Sequence, residues 1–310
     1  MNQIKTAGII SSVAAIVILN GCAGHERIVT RHVQFANAQI GEVRAMTFNI
    51  RVDTFLDGLN RWGKRKDIVF DILADHTADV VGVQEALYHQ VQQIRQALPQ
   101  YSNYAAGRTD GKQKGESCAI FYRKDRFVLD DFGTFWFSDT PAMPGSKDWG
   151  NIWPRICSWV HLIETRTGAG LYVYNVHLAV FSQNSRKKSM ELLVKRIAAR
   201  KNASPFIVIG DFNMKLNNPA MKHLYNAGMV DAWQSANSRR HVFATKSLSS
   251  GPKIDHISLS DGIVAVEAKV DRRKTNGRRP SDHFPVIAKI RIPIWETAFA
   301  RTLGQQPQSY

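Results

Sequence analysis

Cysteine is scarce in this chain, three in 310 residues. Cys22 lies near the N-terminus, and the other two, Cys118 and Cys157, sit inside the apolar, strand-like stretches SCAIFY and RICSWV. One such pair, without metal-type spacing, is neither a disulfide framework nor a cysteine-ligated zinc site. It reads as two buried thiols or, in an oxidising compartment, as one bridge. Long apolar runs are missing as well. The uncharged run AGIISSVAAIVIL after Lys5 is too short to span a bilayer as a mature helix, and has the length of a signal-peptide core. From Glu42 onward there is no repeat, no low-complexity tract and no Pro/Gly linker. Acid is in short supply: 26 Asp and Glu stand against 41 Lys and Arg, a formal charge of +15. An acidic, solvating chain is excluded, and the surplus favours an anionic partner: nucleic acid, phospholipid headgroups or lipopolysaccharide. What is present, 44% hydrophobic and 22% charged residues, suffices for a sizeable core.

The uncharged run ends in LNGC, residues 19 to 22, which resembles the bacterial lipobox. That resemblance implies cleavage before Cys22 and lipidation of its thiol, with Ala23 following as in lipoproteins of the outer membrane. The expected organisation is a signal peptide over 1–21, a tether over 22–40, one domain over 41–295 and a tail over 296–310. The expected location is the cell envelope, lipid-anchored, on the periplasmic or surface face of the outer membrane. A monomer is expected.

Within the domain, strand-like and helix-like patterns alternate. VRAMTFNI alternates as a strand and ends at Asn49; Ile68, Val69, Ile72 and Leu73 share one helical face; ADVVGVQE reads as a buried strand ending at Glu85. A helical pattern over Leu87 to Leu98 stops at Pro99. The strands ESCAIFYR, FWFS, RICSWVHLI and GLYVYNVHL follow, the last reaching His177, and a third helix around Met190 to Ile197 leads into PFIVIGDFN. The chain closes with KIDHISLS, a basic loop, and SDHFPVIAKIRI.

The polar punctuation carries the chemistry. Asp211 and Asn213 lie two apart at the end of FIVIGDFN and share a face if the chain stays extended; alone, this would be an Asx turn. Asn49, Glu85, His177, Asp255, Asp282 and His283 also sit at or beside strand ends, although the set spans more than 230 positions. Strand ends are where ligands gather in sheet proteins. Carboxylate and amide oxygens are hard donors, suited to Mg²⁺, Mn²⁺ or Ca²⁺, so Glu85 with Asn49 and Asp282 reads as a metal site. His283 reads as a proton acceptor oriented by Asp255, and His177 as a second histidine donating to a phosphate oxygen or leaving group.

TFNIR, VGVQE, NVHL, GDFN, KIDHI and SDHFPV, in this order over residues 42 to 292, resemble the endonuclease/exonuclease/phosphatase superfamily. The resemblance implies an α/β fold: a four-layer α/β sandwich with two central mixed β-sheets, deoxyribonuclease I-like, with the site at the strand ends between the sheets. It implies a metal site at Asn49, Glu85 and Asp282, and contacts of Asp211 and Asn213 with the attacking water and scissile phosphate. Asp255 would orient His283 as base, and His177 would hydrogen-bond the phosphate. Arg51 and His177 resemble the deoxyribonuclease and phosphatase-type branches, and Arg108 and Arg155 read as phosphate clamps or as structural salt bridges. The chain departs from a related exported bacterial subgroup at Ala179, where an acid often stands. The expected activity is metal-dependent phosphodiester hydrolysis, with nucleic acid the leading substrate, and a lipid headgroup or small sugar phosphate the alternative. Arg272, Arg273, Lys274, Arg278 and Arg279, just before SDH, are expected near the reacting phosphate.

Overall fold

The computed structural model describes residues 12–17, 29–34, 41–238 and 254–292. It divides into two compact units, Met1–Gln39 and Ile40–Tyr310. In the first, β1 (Ser12–Val17) pairs antiparallel with β2 (Val29–Gln34). Cys22 and the C-terminal tail lie outside the described residues. No described helix is long and apolar enough to cross a membrane.

The second unit holds two six-stranded sheets. The first has the order β13 (Val264–Val270), β14 (Val286–Arg291), β3 (Glu42–Asn49), β4 (Val80–Ala86), β6 (Ser117–Arg123), β5 (Tyr101–Tyr104). The second has the order β11 (Val230–Asp231), β12 (Asp255–Leu259), β10 (Phe206–Asp211), β9 (Gly170–His177), β8 (Ile156–Glu164), β7 (Phe127–Trp136). Each sheet is antiparallel but for one parallel pair, β3 with β4 and β9 with β10. A parallel pair needs a crossover, and α1 (Trp62–His76) and α3 (Gln183–Ala198) supply them.

Burial follows from this layering. Strands covered on both faces read as continuous apolar runs, as FIVIG in β10 does, every residue of which is buried. Between the sheets, Val43, Ala45 and Val80 of the first meet Val173, Ile207 and Ile209 of the second. Ile68, Ile72 and Leu73 of α1, with Val91 and Ile94 of α2 (Tyr88–Ala97), cover the outer face of the first sheet. Met190, Leu193 and Ile197 of α3 cover that of the second. The result is the expected four-layer α/β sandwich with two central mixed sheets.

Two glycines permit the close approaches that place the site. A Cβ on Gly210 would stand 2.1 Å from the carbonyl oxygen of Val176, so only glycine lets β10 lie against β9 one residue before Asp211. A Cβ on Gly82 would meet Ile209 of the opposite sheet at 2.6 Å. Cys118 and Cys157 are buried free thiols, resolving the two alternatives left open by the sequence. β5 and β13 are strands that the sequence reading did not mark, although Val264, Val266, Ala268 and Val270 of β13 recur at every second position.

Candidate active site

Strand register assembles the second sheet's share of the site. Asp211 of β10 is paired directly with His177 of β9 on one side and Asp255 of β12 on the other. Neighbours in register project to the same face, so one rung across three strands delivers a histidine and two carboxylates. The first sheet answers with Asn49 at the end of β3 and Glu85 near the end of β4. Glu85 lies in a register shift between Val83 and Ala86 and has φ of 61°, and this irregularity re-aims its side chain. Arg51 and Asn213 also have positive φ, 61° and 50°, so three of six such non-glycine residues among those described stand at this opening. Backbone held in that region is retained where surrounding contacts over-determine it.

The contacts are visible. Asn49, fully buried, donates through Nδ2 to Glu85 Oε1 at 2.9 Å and to Asp211 Oδ2 at 3.0 Å, spanning the two sheets. Its Oδ1 accepts the Arg51 N–H at 2.9 Å, and the other Glu85 oxygen accepts the Val52 N–H at 2.9 Å. Asp211 Oδ1 accepts the N–H of Asn213 at 2.9 Å, and Asn213 Nδ2 donates to the Leu178 carbonyl at 3.0 Å. His283 turns Nδ1 to both oxygens of Asp255, at 3.1 and 2.9 Å, and its Nε2 lies 3.8 Å from Asp211 Oδ2. Burial draws the His283 imidazolium down, but the hydrogen bond and charge of Asp255, with Asp211 and Asp282 behind it, lift its pKa to about 9. Asp211 is pushed well above the ordinary carboxylate range by desolvation and by the charge of Asp255.

His177 reaches the site in a particular state. Its Nε2 lies 2.7 Å from Arg155 Nη1, and a guanidinium only donates, so this nitrogen is the acceptor. Burial, then the charges of Arg155 and Arg108, hold the ring well below its ordinary pKa, hence neutral. A neutral ring that accepts at Nε2 carries its proton on Nδ1, and Arg155 stands beside it as a second donor. Arg108 is paired with Glu116 at 2.6 Å beside this cluster. Arg51 binds Asp57 at 2.7 Å and lies 3.6 Å from Asp282, whose side chain is 54% exposed.

The hard oxygen donors fit a divalent cation. Asp211, Asp255 and His283 place one ligand atom each within 4.8 Å of one another, but His283 Nδ1 and Asp255 already satisfy each other. Glu85 and Asp282 retain open lone pairs and access to water, which suits a cation that keeps part of its hydration shell. The cavity of about 410 Å³ lined by Trp159, Tyr172, Tyr174 and Arg196 contains none of these residues.

One residue of the basic loop, Arg273, departs from expectation. Arg273 bonds Asp75 and Asp271 next to His76, at the C-terminal end of α1, whereas the site adjoins the N-terminal end of that helix. Arg278 donates to the Lys64 carbonyl at 2.7 Å, and the guanidinium groups of Arg272 and Arg279 lie over the ring of Phe284 at 5.2 and 5.5 Å. Several site-building residues escaped the sequence reading. Buried Arg65 donates to the carbonyls of Ile50, Arg51 and Pro280, fixing the turn after Asn49 to the segment before His283. His256 donates to the Met214 carbonyl at 2.9 Å and lies 3.6 Å from Asp231, steadying the turn beyond Asn213. Asn175, the first residue of NVHL, bonds Gln84 and two carbonyls of the opposite sheet. A polar residue inside an apolar strand was the available signal for Asn175 and His256.

The sequence profile of the Endonuclease/Exonuclease/phosphatase family matches residues 46–283. The chain belongs to that family. A structure of the family from Bacteroides vulgatus is 32% identical with a TM-score of 0.74, covering 81% of this chain and 99% of that one. A Bacteroides thetaiotaomicron mannosyl-6-phosphatase is 30% identical with a TM-score of 0.69, covering 80% and 99%. The Ccr4 3'-5'-exoribonuclease subunit of Kluyveromyces lactis is 24% identical over 298 residues, 74% of this chain and 38% of that protein. The chain spans 59% or less of the length of the curated relatives it matches. Members of the family are hydrolases of phosphoesters that typically use divalent metals.

Proposed function

We propose that this protein is a divalent-metal-dependent phosphoester hydrolase in which His283, oriented by Asp255, takes the proton of a water attacking phosphorus. The observation that carries this is the His283 ring, its Nδ1 on both Asp255 oxygens and its Nε2 directed across the opening toward Asp211. As the water oxygen bonds to phosphorus, the ester oxygen leaves with the electron pair of the broken bond, and the proton from His283 is available to it. Arg155 and Asn213 stand where they can donate to the phosphoryl oxygens. Glu85 and Asp282 would hold Mg²⁺ or Mn²⁺, with Asn49 orienting Glu85 through its amide N–H, and the ion would supply polarisation of the phosphate and charge neutralisation among the acids.

Activity on soluble phosphate mono- and diesters is expected with added Mg²⁺ or Mn²⁺ and is abolished by excess chelator. His283→Ala is expected to lose roughly 10²- to 10⁴-fold in rate, with Asp255→Asn falling less. Full activity in excess chelator, or in folded His283→Ala, overturns the reading.

For the substrate we prefer a compact phosphate ester to a polynucleotide. The polynucleotide expectation drew on the surplus of basic residues and on the loop before His283; of that loop Arg273 is bound to acids at the far end of α1, while Arg272 and Arg279 lie over Phe284 beside His283. A relative 30% identical over nearly its whole length acts on a mannosyl phosphate. We also propose that Cys22 is lipidated and holds the enzyme to the cell envelope, the support being LNGC after an uncharged run. Metabolic labelling with a fatty acid is expected to mark the wild type and not Cys22→Ala; equal labelling of both overturns this.

A further inference from the structure

Seven of the twelve large hydrophobic side chains exposed among the described residues lie on segments that lead away from the site, so their exposure is concentrated rather than scattered. Phe55, Leu56 and Leu59 are 77%, 79% and 78% exposed on a 3₁₀ turn (Phe55–Asn60) that follows Asn49. This turn is braced: Asp57 holds Arg51, and Asp53 accepts the Trp62 N–H at 3.3 Å and meets His89 at 3.0 Å. The three apolar tips are therefore held out in water by a built turn. On the other side, Ile152, Trp153, Val180 and Phe181 line one groove with Arg155, whose guanidinium meets His177. Phe181 is 75% exposed. Asn49 and His177, the strand-end residues behind the two patches, both converge on Asp211, so the patches flank one opening.

Charge accompanies the apolar tips. Arg61 and Lys64 follow Leu59, Lys147 precedes Ile152, and Lys187 and Lys188 follow Phe181, all exposed. Apolar tips with a cationic girdle gain from burial below the headgroups and from attraction to anionic lipid together. Single-stranded nucleic acid would stack on Phe55, Trp153 and Phe181, but the aliphatic tips Leu56, Leu59, Ile152 and Val180 offer no π face to a base.

We propose that this rim docks on an anionic lipid bilayer and that the phosphate ester is presented to the site at that surface. The docking stands on the rim alone; its link to catalysis rests on the hydrolase reading above. The test uses the full chain carrying Cys22→Ala, so that no acyl anchor contributes, with phosphatidylglycerol-containing and pure phosphatidylcholine vesicles. Selective binding to the anionic vesicles is expected, falling about 10- to 100-fold in the triple variant Leu56→Ser, Leu59→Ser, Phe181→Ser. Val128→Ser with Val230→Ser, exposed apolar positions outside the two patches, is expected to bind as the parent does. Brominated lipid is expected to quench Trp153, read as the difference between the parent and Trp153→Phe, a signal that an N-terminal attachment alone does not produce. Vesicle binding undiminished in the triple variant, an unquenched Trp153, or loss of oligonucleotide binding in place of vesicle binding overturns the proposal. Hydrolysis of a soluble ester, unchanged in the triple variant, shows the site intact. If the parent hydrolyses no ester, the hydrolase reading fails while the vesicle measurements still decide the surface.

Discussion

At the opening between the sheets, the first sheet presents half-buried Glu85, with Asp282 and Arg51 beyond it, their side chains 54% and 30% exposed. The second presents His177 and Arg155, each 6% exposed, and Asp211, 1% exposed. Acids that keep their water exchange it readily for a hydrated cation, whereas a carboxylate stripped of water has its protonation set by neighbours. One opening thus has a wetter wall, with acids open to a hydrated ion, and a drier wall whose Asp255 holds His283, a residue carried by the segment before β14 of the first sheet. The same contrast separates Arg51 from Arg155: one is ion-paired at the surface, the other is buried against a neutral histidine.

The contrast breaks most sharply at the arginines. Arg155→Ala is expected to cost roughly 10²-fold in kcat, as for a donor aimed at developing charge in a dry site. Arg51→Ala is expected to cost less and to raise KM more than it lowers kcat. Equal losses in kcat for both would remove the distinction between the walls.

A smaller effect concerns His283 in metal-free protein. Its ring resonances are expected to titrate near pH 9 and, in Asp255→Asn, closer to the ordinary histidine value. Because the folded pKa lies above the ordinary value of about 6.5, the pairing contributes stability that is full below about pH 6.5 and is lost as pH rises through about 9. A titration at or below the ordinary value would show that Asp255 does not govern the ring.

The smallest expected effect is at Arg273, which sits on neither wall. Arg273→Gln is expected to leave kcat/KM unchanged and to shift stability by less than about 1 kcal/mol, as for partly exposed ion pairs. A large loss of activity would return Arg273 to the site.

Asn49, Glu85, His177, Asp211, Asn213, Asp255 and His283 were legible because strand ends are marked by a change from apolar to polar, and register then brings them together. The sandwich was legible from the alternation of patterns and the resemblance its motifs carried. The direction of long side chains was not. Arg65 and Arg273 look alike in the sequence, yet one reaches backbone carbonyls at the site and the other a distant acid pair, because acceptors far along the chain decide where a flexible guanidinium goes. β13 was missed although its signal was present: Val264, Val266, Ala268 and Val270 recur at every second position, with exposed Glu267 and Lys269 between them.

Asn175 bonds Gln84 at 2.7 Å and the carbonyls of Val83 and Ala119 at 3.1 and 2.8 Å, all across the inter-sheet core. Two apolar layers alone resist separation but little resist sliding, since contact between methyl groups has no preferred register. Directional bonds across the interface give shear a stepwise cost: any displacement breaks several at once in a place water does not reach. The two walls of the opening are therefore keyed to one another like the jaws of a fixed calliper, and their separation is a property of the core rather than of whatever lies between them.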